Sequence, residues 1–198
     1  MVQTFTMERQ EGAVEYPPAS SEDVFEQWYP TKDRMVVSKV EKPINMYNGD
    51  AKLHGSMDIT PNGVLAHGDM EFKAANLFSK NMYLKHHVID ADSGDFSLKS
   101  FNLSEISLKT VNYKSHIDFE KRTGNFKSNG GASVVEFPAN KYMCYIDEFD
   151  WNMDNEEIAF SKGGEKSKEQ ANMTLEEVAD VELAGSRFVS IHPDQDSL

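Results

Sequence analysis

Three acidic side chains surround a glycine in Asp90-Ala91-Asp92-Ser93-Gly94-Asp95, and carboxylate oxygens gathered on a tight loop are what a calcium ion binds. An EF-hand loop needs a glycine at its sixth position and a bidentate Glu at its twelfth. Counted from Asp90, the glycine comes one place early and the twelfth residue is Phe101, so the segment reads as an acidic β-turn. Asp150-Trp151-Asn152-Met153-Asp154 starts in the same way and fails sooner, with Asn155 sixth and Ser161 twelfth. A strand reading explains more of it. Met143, Tyr145, Asp147, Phe149, Trp151 and Met153 alternate with Glu148, Asp150, Asn152 and Asp154, which would leave an acidic face in water.

The six histidines, at 54, 67, 86, 87, 116 and 192, show no His-x-x-x-His spacing, and nothing in the pattern fixes a companion carboxylate. His54 and His67 could approach if their strands were adjacent, but two imidazoles do not make a metal centre, so no metal is expected. The single Cys144 has no disulfide partner and sits in the apolar Tyr142-Met143-Cys144-Tyr145-Ile146, where a thiol acts as a small hydrophobe. Gly-x-Ser-x-Gly is absent, and Asn129-Gly130-Gly131-Ala132-Ser133 lacks the Lys-Ser/Thr of a phosphate-binding loop. No cofactor, catalytic group or enzymatic activity is expected. With 20 basic against 33 acidic residues and a net charge of −13, nucleic acid is not an expected partner either.

The elements that would carry these residues are mostly strands. Residues 1–34, 35–135 and 136–198 carry net charges of −4, +1 and −10. The first segment holds Ser21-Glu22-Asp23-Val24-Phe25-Glu26-Gln27-Trp28, where Ser21 could cap a short helix ended by Pro30. From Met35 to Phe160 short alternating runs are broken at Asn48-Gly49, Pro61-Asn62-Gly63, Ser93-Gly94, Thr123-Gly124, Asn129-Gly130-Gly131 and Pro138-Ala139-Asn140. In 64–72, Val64, Ala66, Gly68, Met70 and Phe72 share one face; Met82 with Leu84, Phe96 with Leu98, and Ile117 with Phe119 do likewise. A polar loop follows Ser161, and Thr174-Leu175-Glu176-Glu177 is a capping box for a second short helix near 174–180, before strand character returns over Val181–Ile191. His54-Gly55-Ser56-Met57-Asp58-Ile59 recurs thirteen residues later as His67-Gly68-Asp69-Met70-Glu71-Phe72, the offset of one strand plus one turn.

The fold expected is therefore all-β: an elongated stack of short antiparallel or solenoid-like strands with one or two short helices. Its parts are an N-terminal segment, 1–34, and a β-repeat domain, 35–198, interrupted at about 161–180. The strand-like ending suggests a fragment of a longer chain that self-associates through exposed strand edges. The N-terminus shows neither the basic start nor the apolar run of a signal peptide.

Gly63-Val64-Leu65-Ala66-His67-Gly68-Asp69-Met70-Glu71-Phe72 and Val88-Ile89-Asp90-Ala91-Asp92-Ser93-Gly94-Asp95-Phe96 resemble the strand-turn-strand rhythm of OstA-like lipopolysaccharide-transport proteins and related long β-repeat proteins of Gram-negative envelopes. The likeness covers residues 45–160. It implies a twisted open channel with an apolar interior, a periplasmic or outer-envelope location, and a bridging or lipid-handling role without covalent chemistry. The partners expected are flanking repeats or other envelope proteins, together with lipid. A lipid groove would be lined by Met70, Phe72, Met82, Leu84, Phe96 and Leu98, the flexible and aromatic side chains of one parity. The function expected is thus a noncatalytic β-repeat segment of a larger envelope protein, structural or lipid-conducting; the alternative is a carbohydrate-binding or adhesive β-sandwich.

Overall fold

The computed structural model describes residues 3–38, 42–100, 105–130, 133–155, 157–160, 182–183 and 186–189. It is all-β, and a single antiparallel sheet dominates it. The strands are β1 (Gln3–Met7), β2 (Ala19–Tyr29), β3 (Arg34–Ser38), β4 (Ile44–Met46), β5 (Ala51–Thr60), β6 (Gly63–Glu71), β7 (Ala75–Leu84) and β8 (Val88–Lys99). They continue as β9 (Ile106–Thr110), β10 (Tyr113–Asp118), β11 (Thr123–Ser128), β12 (Val134–Phe137), β13 (Tyr142–Tyr145), β14 (Glu148–Asn152) and β15 (Glu157–Phe160). The short β16 (Glu182–Leu183) pairs with β17 (Ser186–Val189), which lies parallel to β15.

The ladder is a sequential meander in which several positions are filled by two strands end to end. β3 and β4 both pair with β2 on one side and β5 on the other. β9 and β10 both pair with β8, and each then takes its own partner, β12 or β11. β13 and β14 continue the pattern against β12 and β11. Proline shapes two of the hairpins in the same way: Tyr29-Pro30 and Phe137-Pro138 each open a short 3-10 turn, closed by Asp33 or Lys141 in the left-handed region.

Each long strand position breaks near its middle. In β7 the buried residues run Ala75, Leu77, Ser79 and then Met82, Leu84, so the inward parity shifts by one residue. The same shift separates Ala91 from Phe96 in β8, Thr110 from Tyr113, and Phe126 from Val135. One extra residue bends a strand and re-aims its side chains. On β5 and β6 the bend falls instead at Gly55 and Gly68, which face each other in register.

Bending along this line folds the sheet onto itself. Phe72, just after β6, and Trp151 of β14 stand five ladder positions apart, more than 20 Å in a flat sheet at about 4.8 Å per strand, yet their ring centroids lie 5.4 Å apart. The two margins of the sheet also meet. Tyr47, at the β4–β5 turn, stacks on Phe119 of the β10–β11 turn at 3.9 Å and donates its hydroxyl to the Val88 carbonyl at 3.0 Å. Arg122 reaches Asp50 across the same seam at 3.0 Å. One continuous core fills the interior, from Phe5 and Val24 of the first two strands to Trp151 and Ile158.

Four local expectations change. Thr123-Gly124 is not a turn but the start of β11, paired with Asp118 and Ile117, and the reversal falls just before it at residues 119–122. Residues 21–28 are strand, not helix: they form most of β2, which pairs with β1 on one edge and with β3 and β4 on the other, and this pairing overrides the capping signal of Ser21. The segment before residue 35 therefore belongs to the same sheet as the rest. Ser93-Gly94 is not a turn but the bend inside β8, where a Cβ on Gly94 would lie 2.7 Å from Leu77. The face expected to run from Met143 to Met153 is split, because parity changes at Ile146-Asp147 and leaves Met143 and Tyr145 outside while Phe149 and Trp151 are buried. The loop and helix expected over 161–180 lie outside the described residues.

Candidate functional site

The segment between β1 and β2 crosses one margin of the folded sheet and touches three of its turns. The Tyr16 hydroxyl donates to the Thr60 carbonyl at 2.8 Å, beside the β5–β6 turn. Glu15 meets His86 in the β7–β8 turn, and Arg9 meets Glu120 in the β10–β11 turn. This segment is a strap over the hairpin ends, and its polar side chains converge on the adjacent histidines 86 and 87.

His86 Nδ1 donates to Glu15 Oε2 at 2.6 Å, which leaves Nε2 to accept from His87 Nδ1 at 2.5 Å. The two rings meet edge to face with centroids 4.0 Å apart. Arg9 Nη2 lies 2.8 Å from both Glu11 Oε1 and Glu120 Oε1. Glu120 Oε2 then faces His87 Nε2 at 3.9 Å, and Glu11 Oε1 is 3.9 Å from His86 Nε2. Buried Asp118 shapes the turn that presents Glu120: its Oδ1 accepts the N–H groups of Glu120 and Lys121, each at 3.0 Å, and its Oδ2 takes the Lys121 ammonium at 3.0 Å.

Three of these carboxyls lie below the usual carboxylate range. The hydrogen bond from His86 lowers Glu15, and the one from Arg9 lowers Glu120. Burial acts to raise Asp118, but the N–H and ammonium of Lys121 and the N–H of Glu120 together outweigh it. A carboxyl lowered by folding contributes stability above its unfolded value near 4, and that contribution disappears as the pH falls through the folded value. The thermal midpoint is therefore expected to drop on acidification from about pH 5 to about pH 3. Asp118→Asn and Glu15→Gln should each flatten that slope in thermal unfolding followed by circular dichroism; slopes equal to the parent's would show that these contacts do not set acid stability.

The other sequence candidates lie elsewhere. All six expected groove residues are core: Met70, Met82, Phe96 and Leu98 are 0% exposed, Leu84 2% and Phe72 3%. Phe72 also borders a cavity of about 110 Å³ shared with Asp50, Arg122 and Trp151. Asp90, Asp92 and Asp95 do not converge on a common point. Asp90 binds Lys85 and His116, Asp92 pairs with Lys114, and Asp95 accepts the Asn112 N–H. His54 and His67 do sit on adjacent strands, where each takes a carboxylate of the other repeat copy. His54 bonds Glu71 at 2.7 Å and His67 faces Asp58 at 3.4 Å, a two-fold relation about the Gly55–Gly68 pair. Cys144 is half-buried against the core, and burial pushes its thiol up to about 11, away from reactivity at neutral pH.

Sequence reasoning passed over the His86-His87 turn because its carboxylates come from distant segments, Glu15 lying 71 residues from His86. The adjacent pair of histidines was the only local signal. Compared with family models, curated proteins and solved structures, the chain matches none of them. Among the described residues no helix is long and apolar enough to cross a membrane.

Proposed function

We propose that the chain is a noncatalytic, structural β-repeat module of a larger cell-envelope protein, joined to its neighbours by strand pairing at its open edges. This reading rests on the resemblance of residues 45–160 to the strand-turn-strand rhythm of OstA-like proteins. The sealed interior favours the structural role over lipid conduction, because all six side chains that would line a groove are buried and Phe96 among them packs against Phe126, Phe149 and Trp151.

The observation that carries the reading is an edge without a strand partner among the described residues. Among the described residues β13 pairs only with β12, and it turns Met143 and Tyr145, 65% and 62% exposed, outward beside that edge. A strand edge that carries apolar side chains and has no partner is a template for another strand. Flanking repeats of the same protein would use it, and in the isolated chain a second copy takes their place. Light scattering should show association that grows with concentration. Replacing both Met143 and Tyr145 by Lys should weaken it about tenfold or more, equivalent to about 1.4 kcal/mol, without changing the circular dichroism spectrum. A monomer at every concentration, or association indifferent to the two lysines, would overturn the reading.

A further inference from the structure

The geometry points to a divalent metal site of the zinc type where the strap crosses the sheet margin, with His86, His87 and Glu120 as its ligands. One ligand atom from each lies within 4.8 Å of the others. Imidazole nitrogen with carboxylate oxygen is a donor set suited to zinc and its first-row neighbours, whereas calcium and magnesium take oxygen alone.

Three features go beyond proximity. His86 gives its Nδ1–H to Glu15, which fixes the ring and leaves the Nε2 lone pair directed into the cluster, the usual arrangement of a carboxylate behind a metal-bound histidine. Glu120 is held through Oε1 by Arg9, so its Oε2 faces the histidines. Both imidazoles are largely shielded, with side chains 14% and 24% exposed, although the turn itself lies at the surface.

His87 gives its Nδ1–H to His86 Nε2, so its own lone pair is on Nε2, the nitrogen that faces Glu120 Oε2 at 3.9 Å. A neutral imidazole binds a metal through that lone pair and keeps its other proton. Binding therefore breaks the His87-to-His86 hydrogen bond and frees His86 Nε2 for the ion, a movement within the reach of side chains on a turn. Glu11 Oε1, 3.9 Å from His86 Nε2, or a water molecule completes the coordination. The ion would staple the β7–β8 turn to the β10–β11 turn beneath the strap, and so close this margin of the folded sheet. The site is independent of the edge-pairing role proposed above.

The test is calorimetric titration of the chelator-treated full chain with zinc chloride, alongside cobalt(II) absorption spectroscopy. One zinc ion per chain is expected at micromolar concentration, with a higher thermal midpoint and a visible cobalt band typical of nitrogen and oxygen ligation. His86→Gln and His87→Gln should each weaken binding at least 100-fold. Glu15→Gln, which reaches only the far nitrogen of His86, should weaken it about 10- to 100-fold. His54→Gln, on the outer face, should leave it unchanged. Circular dichroism with chelator present checks that each variant is folded, and the cobalt spectrum of the parent chain needs no variant at all. A parent chain that binds no zinc at these concentrations and gives no cobalt band, or a folded His87→Gln chain that binds as tightly as the parent, would overturn the site.

Discussion

Gly68→Ala is expected to cost about 4 kcal/mol or more, a large fraction of the roughly 5–15 kcal/mol that holds a domain folded. Two effects combine. Gly68 has φ +123°, a conformation that costs a residue with a Cβ about 1–3 kcal/mol. A Cβ built there would also sit 2.3 Å from the His54 carbonyl oxygen and 3.1 Å from the Gly55 Cα, and these are backbone atoms that cannot rotate away. Relief would require β5 and β6 to separate at the bend, breaking the ladder that runs from Lys52–Glu71 to Thr60–Gly63. Gly55 faces the same limit from the other strand, with a built Cβ 2.0 Å from the His67 carbonyl oxygen. The matched control is Gly130→Ala. Its φ is also positive, +92°, but nothing lies within 4 Å, so it should lose only about 1 kcal/mol. Denaturant unfolding of the two variants separates close approach from backbone strain, and equal losses would show that the paired glycines are not what brings the strands together.

The second large effect is expected at Phe96. Its ring is fully enclosed, 4.2 Å from that of Phe126, 5.3 Å from Trp151 and 6.1 Å from Phe149. Truncation to alanine removes the contact between facing halves of the sheet and leaves a void, which typically costs about 3–5 kcal/mol. Phe78, on the adjacent strand β7, is the comparison. It is 42% exposed and points outward, and Phe78→Ala should fall within about 1 kcal/mol of the parent. The pair also distinguishes a core from a conduit. If the interior admitted acyl chains, Phe96→Ala would widen it at little loss of stability, and the two phenylalanines would give similar unfolding midpoints.

Much of the architecture was legible because the signal for a strand is local. The pleat turns successive side chains to opposite faces, so the alternation of Val64, Ala66, Met70 and Phe72 reports a buried face without reference to any other segment. Turn chemistry is local as well: Pro61-Asn62-Gly63 and Pro138-Ala139-Asn140 stand where chain reversals occur. Even the thirteen-residue repeat corresponds to adjacent strands, with its two glycines in register.

What the sequence by itself determined is an all-β chain, most of the inward-facing residues within each short run, and a net charge of −13. Only the tertiary structure decided how those runs connect. Parity changes at Ile146-Asp147 are held by the Tyr113 hydroxyl on the Ile146 carbonyl and by the Ser128 N–H on the Asp147 carbonyl, contacts from strands that no local pattern can name. Residues 21–28 carry a helical cap signal that strand partners on both edges outweigh, since a full ladder stabilises more than one capped turn. The histidine cluster was hidden for the same reason. His86 and His87 acquire their carboxylates only when the sheet bends and the strap crosses its margin, because chemistry at a seam is set by which distant segments meet there.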